Sequence, residues 1–207
     1  LYGLLDSIYQ TNLFKTEEKG VDFIFDYDPK LPQVFIGDSV RLGQVINNLV
    51  SNAIKFTTKG FVKIECRLKD KEKNNAIIHF SIQDSGKGID NSKFDKIFEH
   101  FTQEEESTTR KYGGTGLGLP ISKKLLKLMK SDIKLESELD KGSIFSFQLK
   151  LPIGDDSLLK HTDASDLKMK DLGALNLKIL IAEDNEVNYK IASAYLAHWH
   201  VFSEQAL

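Results

Sequence analysis

Gln44-Val45-Ile46-Asn47-Asn48-Leu49-Val50-Ser51-Asn52-Ala53-Ile54-Lys55-Phe56-Thr57 is written in two registers at once. At about 100° per residue, Leu42, Val45, Ile46, Leu49, Val50, Ala53 and Ile54 share one face, the mark of a helix laid on a core. Gln44, Asn48, Asn52 and Lys55 gather within roughly 80° of one another on the opposite side. A solvated face ordinarily carries Glu and Lys, and Asn is a mediocre helix former, so stacked amides point to a hard ligand for their carbonyl oxygens. A merely wet face is the plainer alternative. Asp38 is the expected N-cap, with the helix running to about Phe56.

Working outward, the stretch 21–27 partly alternates and stops at Asp28-Pro29, so a strand is expected before this helix. A first helix over 1–19, with Leu4, Leu5, Ile8, Leu13 and Phe14 near helical spacing, should stop at Gly20. After the amide helix, alternating runs near 61–68 and 76–83 predict a hairpin across the charged turn 69–75. Asp84-Ser85-Gly86-Lys87-Gly88-Ile89 then closes a strand. A short helix over 92–100 is expected before a polar loop, and Gly113-Gly114-Thr115-Gly116-Leu117-Gly118-Leu119 leads into a helix ending near residue 130. Strands near 133–138 and 143–151 complete an α+β two-layer sandwich, with a mixed, mostly antiparallel sheet and helices on one face.

The two glycine boxes carry chemistry. Glycine lets a backbone close on a ligand and present its N–H groups, and a helix start adds positive potential for phosphates. Neither box has the G-x-x-x-x-G-K-[ST] order or the glycine spacing of a dinucleotide fold. A different nucleotide fold is required.

The order Asn48/Asn52, Asp84-x-Gly86-x-Gly88, Ile97-Phe98-Glu99-His100-Phe101 and Gly114-Thr115-Gly116-Leu117-Gly118-Leu119 resembles the ATPase fold shared by histidine kinases, gyrase, the heat-shock chaperone and mismatch-repair ATPases. The phrasing from Asn48 to Thr57 is most similar to a histidine kinase of the hybrid kind. The resemblance covers about residues 1–152. It implies that Asp84 accepts a hydrogen bond from the adenine amino group of ATP, with Gly86, Gly88 and Ile89 close to the ring. It implies Mg²⁺ on the Asn52 amide oxygen, and phosphates held by Asn48, Lys55 and the box Gly114, Thr115, Gly116, Leu117, Gly118 and Leu119. Arg110 or Lys111 is expected at the terminal phosphate, in a catalytic role with Asn48 and Lys55. Phe98 and Phe101 are expected to anchor the segment 102–112, which ends at Tyr112 and closes over the site, either as core or hinge residues under it or as direct contacts with nucleotide. Ser143, after Gly142, is expected near the base. Gln44 stands where water-activating relatives place glutamate, and an amide is no general base, which predicts slow attack by water. A kinase is therefore the first reading. An ATPase using nucleotide for conformational switching, and a non-catalytic binding module, are the alternatives.

The 207 residues carry 28 basic and 30 acidic side chains, and a net charge of -2 recommends neither nucleic acid nor anionic membrane as partner. One cysteine, Cys66, reads as a small buried side chain and leaves no disulfide within the chain. No apolar run reaches the roughly 20 residues of a membrane-spanning helix, so a cytoplasmic location is expected, in a parent that is membrane-anchored or not. Residues 1–19 are expected to end a dimerisation and phosphoacceptor helix, 20–152 to form the ATP-binding catalytic domain, and 153–176 to be a linker. Residues 177–207, opening on Lys178-Ile179-Leu180-Ile181-Ala182-Glu183-Asp184, resemble the start of a receiver domain, in which Glu183 and Asp184 help bind Mg²⁺. The expected partners are a phosphoacceptor histidine helix on the same or a partner subunit and a response regulator or receiver domain, in a homodimeric whole protein. None of His79, His100, His161, His198 and His200 has the setting of a phosphoacceptor, so the chain is expected to bind ATP without phosphorylating itself.

Overall fold

A computed structural model describes residues 1–94, 96–98, 117–155 and 178–183, together with 189, 192–193, 196–197 and 201–206. The chain divides into two units, Leu1–Asp156 and Ser157–Leu207.

In the first unit, α1 (Tyr2–Lys19) ends at Gly20, which takes the left-handed conformation at φ 66° and returns its N–H to Glu17. Strand β1 (Val21–Tyr27) follows, then α2 (Ser39–Phe56), β2 (Gly60–Glu72) and β3 (Asn75–Asp84). Helix α3 (Gly118–Leu128) precedes the hairpin of β4 (Lys134–Glu138) and β5 (Gly142–Pro152). The sheet order is β1-β2-β3-β5-β4, with β1 parallel to β2 and every other pair antiparallel. This is the expected mixed, mostly antiparallel sheet.

Rows across the sheet define the core. Cys66, Phe80 and Phe147 are register partners, as are Ile64, Ile82, Phe145 and Leu135. Against them α2 turns Leu42, Val45, Ile46, Leu49, Val50, Ala53 and Ile54, all buried. Its N-cap is Asp38, whose carboxylate accepts the Arg41 N–H at 2.9 Å. The other sheet face carries charge: Lys63 bonds Asp26 and Glu65 at 2.9 Å each, and Arg67 bonds both acids.

Three expectations need correction. Where one helix over 92–100 was expected, the described residues there form two short 3-10 turns, Asn91–Lys93 and Lys96–Phe98, the first capped by Asp90 on Ser92, and 95, 99 and 100 lie outside the described residues. The β2–β3 turn shrinks from 69–75 to Lys73-Asn74, since the strands extend past the core, where charge on both faces hides the alternation. On α1 the buried face is Leu5, Ile8, Asn12 and Thr16, while Phe14 is 73% exposed. The two polar members are tolerated there because they bond back to Ile8 O and Leu13 O.

In the second unit, β6 (Lys178–Ala182) pairs in parallel with β7 (Phe202–Ala206). Leu180 on β6 is 66% exposed.

Candidate functional site

Asp84 ends β3 on the core side of the sheet and is only 6% exposed. Its carboxylate accepts the Gly86 N–H at 2.9 Å. Burial pushes the carboxyl above the usual aspartate range, and the Gly86 and Ser143 N–H groups pull it partly back. The loop after it is locked on both sides. Ser85 Oγ accepts the Phe61 N–H at 2.8 Å, and Asp140 N–H donates to Lys87 O at 2.9 Å. At Gly88, with φ 66°, a Cβ would lie 1.9 Å from Glu138 O, so no side chain fits.

Helix α2 touches both glycine boxes. Near its middle Asn48 Nδ2 donates to Gly118 O and to Ser122 Oγ, each at 3.3 Å, joining the amide face to the start of α3. At its end a Cβ on Gly86 would come within 2.5 Å of Phe56 O, so the first box passes directly over the last turn. Eight residues at about 1.5 Å each separate Asn48 from Phe56, a span of about 12 Å. Asn52 and Lys55 lie between, both half-buried, whereas Gln44 is exposed. Burial and, secondarily, the Lys87 charge hold the Lys55 ammonium below its usual range. Lys19 of α1 steadies this end of α2 by donating to Ile54 O at 2.7 Å.

Of the residues singled out in the sequence, Asp84, Gly86, Gly88, Ile89 and Ser143 gather at the β3–β5 end. Asn48, Gly118 and Leu119 meet at the start of α3, with Leu117 as its N-cap. Phe101, Arg110, Lys111, Tyr112, Gly114, Thr115 and Gly116 lie outside the described residues. Phe98 packs on the core with the Lys123 ammonium 4.8 Å from its ring. Sequence reasoning passed over Phe56 and Lys87. The Phe56 ring has the Lys55 and Lys87 ammonium groups 5.0 and 4.8 Å from its centre. It also lines a cavity of about 300 Å³ with Thr58, Ser85, Gly86, Lys87 and Asp140. Only Gly86 of the expected residues borders that cavity. The x of the glycine box was the signal for Lys87, and the last helical aromatic for Phe56.

Residues 37–153 match the family described as histidine kinase-, DNA gyrase B-, and HSP90-like ATPase. The chain belongs to that family. A LuxQ autoinducer 2 sensor kinase/phosphatase of Vibrio vulnificus is 37% identical over 90% of this chain and 22% of its own length. Hybrid signal transduction histidine kinase K of Dictyostelium discoideum is 36% identical over 93% of this chain and 16% of its own. The chain thus spans about a fifth of the curated relatives it matches. Among solved structures, the catalytic domain of histidine kinase ThkA superposes with a TM-score of 0.57 at 28% identity, covering 74% of this chain and 94% of that one. Membership of this ATPase family supports nucleotide binding within residues 37–153.

Proposed function

We propose that this chain is the ATP-binding catalytic region of a hybrid sensor histidine kinase, passing the γ-phosphoryl group of ATP to a histidine on a phosphoacceptor helix. The observation that carries the reading is α2 reaching from the Asp84–Gly86 loop to the start of α3 with Asn48, Asn52 and Lys55 between. In this reading Asp84 accepts from the adenine amino group, Ser143 lies beside it, and Gly86, Gly88 and Ile89 line the base. Lys55 and the N-terminus of α3 face the phosphates. Arg110 or Lys111 neutralises charge at the terminal phosphate. Among the described residues no group of three or more His, Cys, Asp or Glu side chains is placed to hold a metal. A nucleotide-borne Mg²⁺ with one protein amide, Asn52, fits that donor set, and when bound it supplies charge neutralisation across the phosphates.

The reaction forms an N–P bond from an imidazole nitrogen to the γ-phosphorus and breaks the bond to the β-bridging oxygen. ADP leaves, and the imidazole N–H proton is released. Asn48 is tied to Gly118 and Ser122, so its part is to hold the second box against the amide face. Gln44 offers no base for water, which favours transfer over hydrolysis. Relatives named as hybrid kinases support a parent carrying a phosphoacceptor helix, of which residues 1–19 are the end, and a receiver, beginning near 177 after the linker 153–176. That parent is proposed to be dimeric, to hold this region in the cytoplasm and to act without nucleic acid. No described helix is long and apolar enough to cross a membrane.

The test is a single-turnover assay with γ-labelled ATP, Mg²⁺ and a separately supplied histidine-bearing helix pair. Acid-labile phosphohistidine on the supplied helices is expected, with no label on the chain itself. Free phosphate alone would make the protein an ATPase, and neither product would leave a binding module.

A further inference from the structure

Three strands meet in one polar row. Asp84 of β3 is the register partner of Ser143 on β5, and Ser143 is the register partner of Ser137 on β4. The row lies immediately beside the apolar row Ile82, Phe145 and Leu135, two residues away on each strand and therefore on the same face. Polar groups thus occupy positions that the alternation reserves for the core. Asp84 and Ser143 are 6% and 5% exposed.

The hydroxyl of Ser137 is the hub of this row. It accepts the Ile89 N–H at 2.8 Å and lies 2.8 Å from Gly142 O and 2.9 Å from Ser143 Oγ. A serine has one hydroxyl proton, and a carbonyl can only accept. The Ser137 proton is therefore directed at Gly142 O. The contact between the two serines must then be made by the Ser143 proton, which leaves Ser143 Oγ presenting lone pairs alone, next to a carboxylate that also only accepts.

We infer that Ser137 is a positioning residue that fixes the direction of the Ser143 hydroxyl and so makes the Asp84 end of the site an all-acceptor surface that selects an amino-bearing base edge over an oxo-bearing one. The inference rests on the nucleotide reading above. Guanine would bring a 6-oxo group against two acceptors, where adenine brings an amino donor. The bond from Ile89 adds a second effect: the same oxygen holds the end of the glycine loop to β4, so base and loop are aligned by one group.

Calorimetric affinities for ATP and GTP with Mg²⁺, measured on the full chain for wild type, S137A and S137T, test this. Wild type is expected to prefer ATP. In S137A the preference should fall about tenfold, the size of one such hydrogen bond, because Ser143 can now donate to an oxo group. S137T, which keeps the hydroxyl, should restore it. I78V, a core change that lowers stability, should leave the ratio alone. An unchanged ratio in S137A, or equal falls in S137A and I78V, overturns the inference while the nucleotide reading survives. Wild type that binds no ATP overturns both. If circular dichroism shows S137A unfolded, S137C takes its place and the same fall is required.

Discussion

Asp84 shows how a buried carboxylate trades stability for recognition. Its carboxyl is held above the usual aspartate range, chiefly by desolvation. The folded state therefore binds this proton more tightly than the unfolded chain, so ionised Asp84 opposes folding at neutral pH and the penalty vanishes on acidification. Asp84→Asn should accordingly leave the melting temperature of the free protein equal or higher. It should also weaken ATP affinity by about 10–100-fold, the worth of a hydrogen bond to a charged acceptor. A variant that melts lower and binds normally would show that Asp84 is structural. The same sign predicts a pH profile: the accepting form exists above the carboxyl's pKa, so ATP affinity should decline on acidification with a midpoint above that of an ordinary aspartate. Cys66, buried with its thiol pushed up to about 12, should resist thiol reagents until denaturant is added. Much of this scale was legible in the sequence, because Asp84, Gly86 and Gly88 sit in a contiguous motif and Cys66 in an alternating run. Ser137 was not, since its meaning comes from register across three strands, and one serine on a short strand reads as solvent-facing.

At the scale of elements, the helix amide stripe was readable because both of its faces are periodic. What joins it to its neighbours was not. Lys19 lies 35 residues from Ile54 in sequence, yet it donates to that carbonyl at the end of α2. Removing a cation from a helix C-terminus costs about 0.3–1 kcal/mol, so Lys19→Met should lower stability by that amount in urea melts, less at high salt. The charged face of β1 and β2 behaves oppositely to Asp84. Hydrogen bonds from Arg67 and Lys63 hold Asp26 down to about 2, so its contribution is complete above the ordinary aspartate range and is lost as pH falls through it towards 2. Asp26→Asn should therefore be less stable than wild type at neutral pH, with the two converging near pH 2. Parallel curves across that range would remove the ion pairs from the account. The misread helix over 92–100 belongs here too: a capped 3-10 turn and a helix start share the same Asp-x-Ser signal.

For the molecule as a whole, the candidate site draws on α2, the end of β3, the β4–β5 hairpin and the start of α3, elements far apart in sequence that share one core cluster. A ligand that bridges them binds only the folded arrangement, so it should stabilise the fold by mass action. At a hundred times its dissociation constant the gain is about 2.7 kcal/mol, which for a unit of this size raises the melting temperature by about 5–10 °C. ATP with Mg²⁺ should produce that shift in wild type, and Asp84→Asn should reduce it at equal ligand concentration because less ligand is bound. Asn52→Asp separates the two ends of the nucleotide. Its base contacts are intact, so a shift should persist, but its dependence on Mg²⁺ concentration should change as a carboxylate replaces the neutral amide at the metal. Scanning calorimetry of the three proteins across a Mg²⁺ series reads both effects together. If Asn52→Asp tracked wild type at every Mg²⁺ concentration, the metal would have no partner on α2, and the amide stripe that organises the whole reading would be only a wet face.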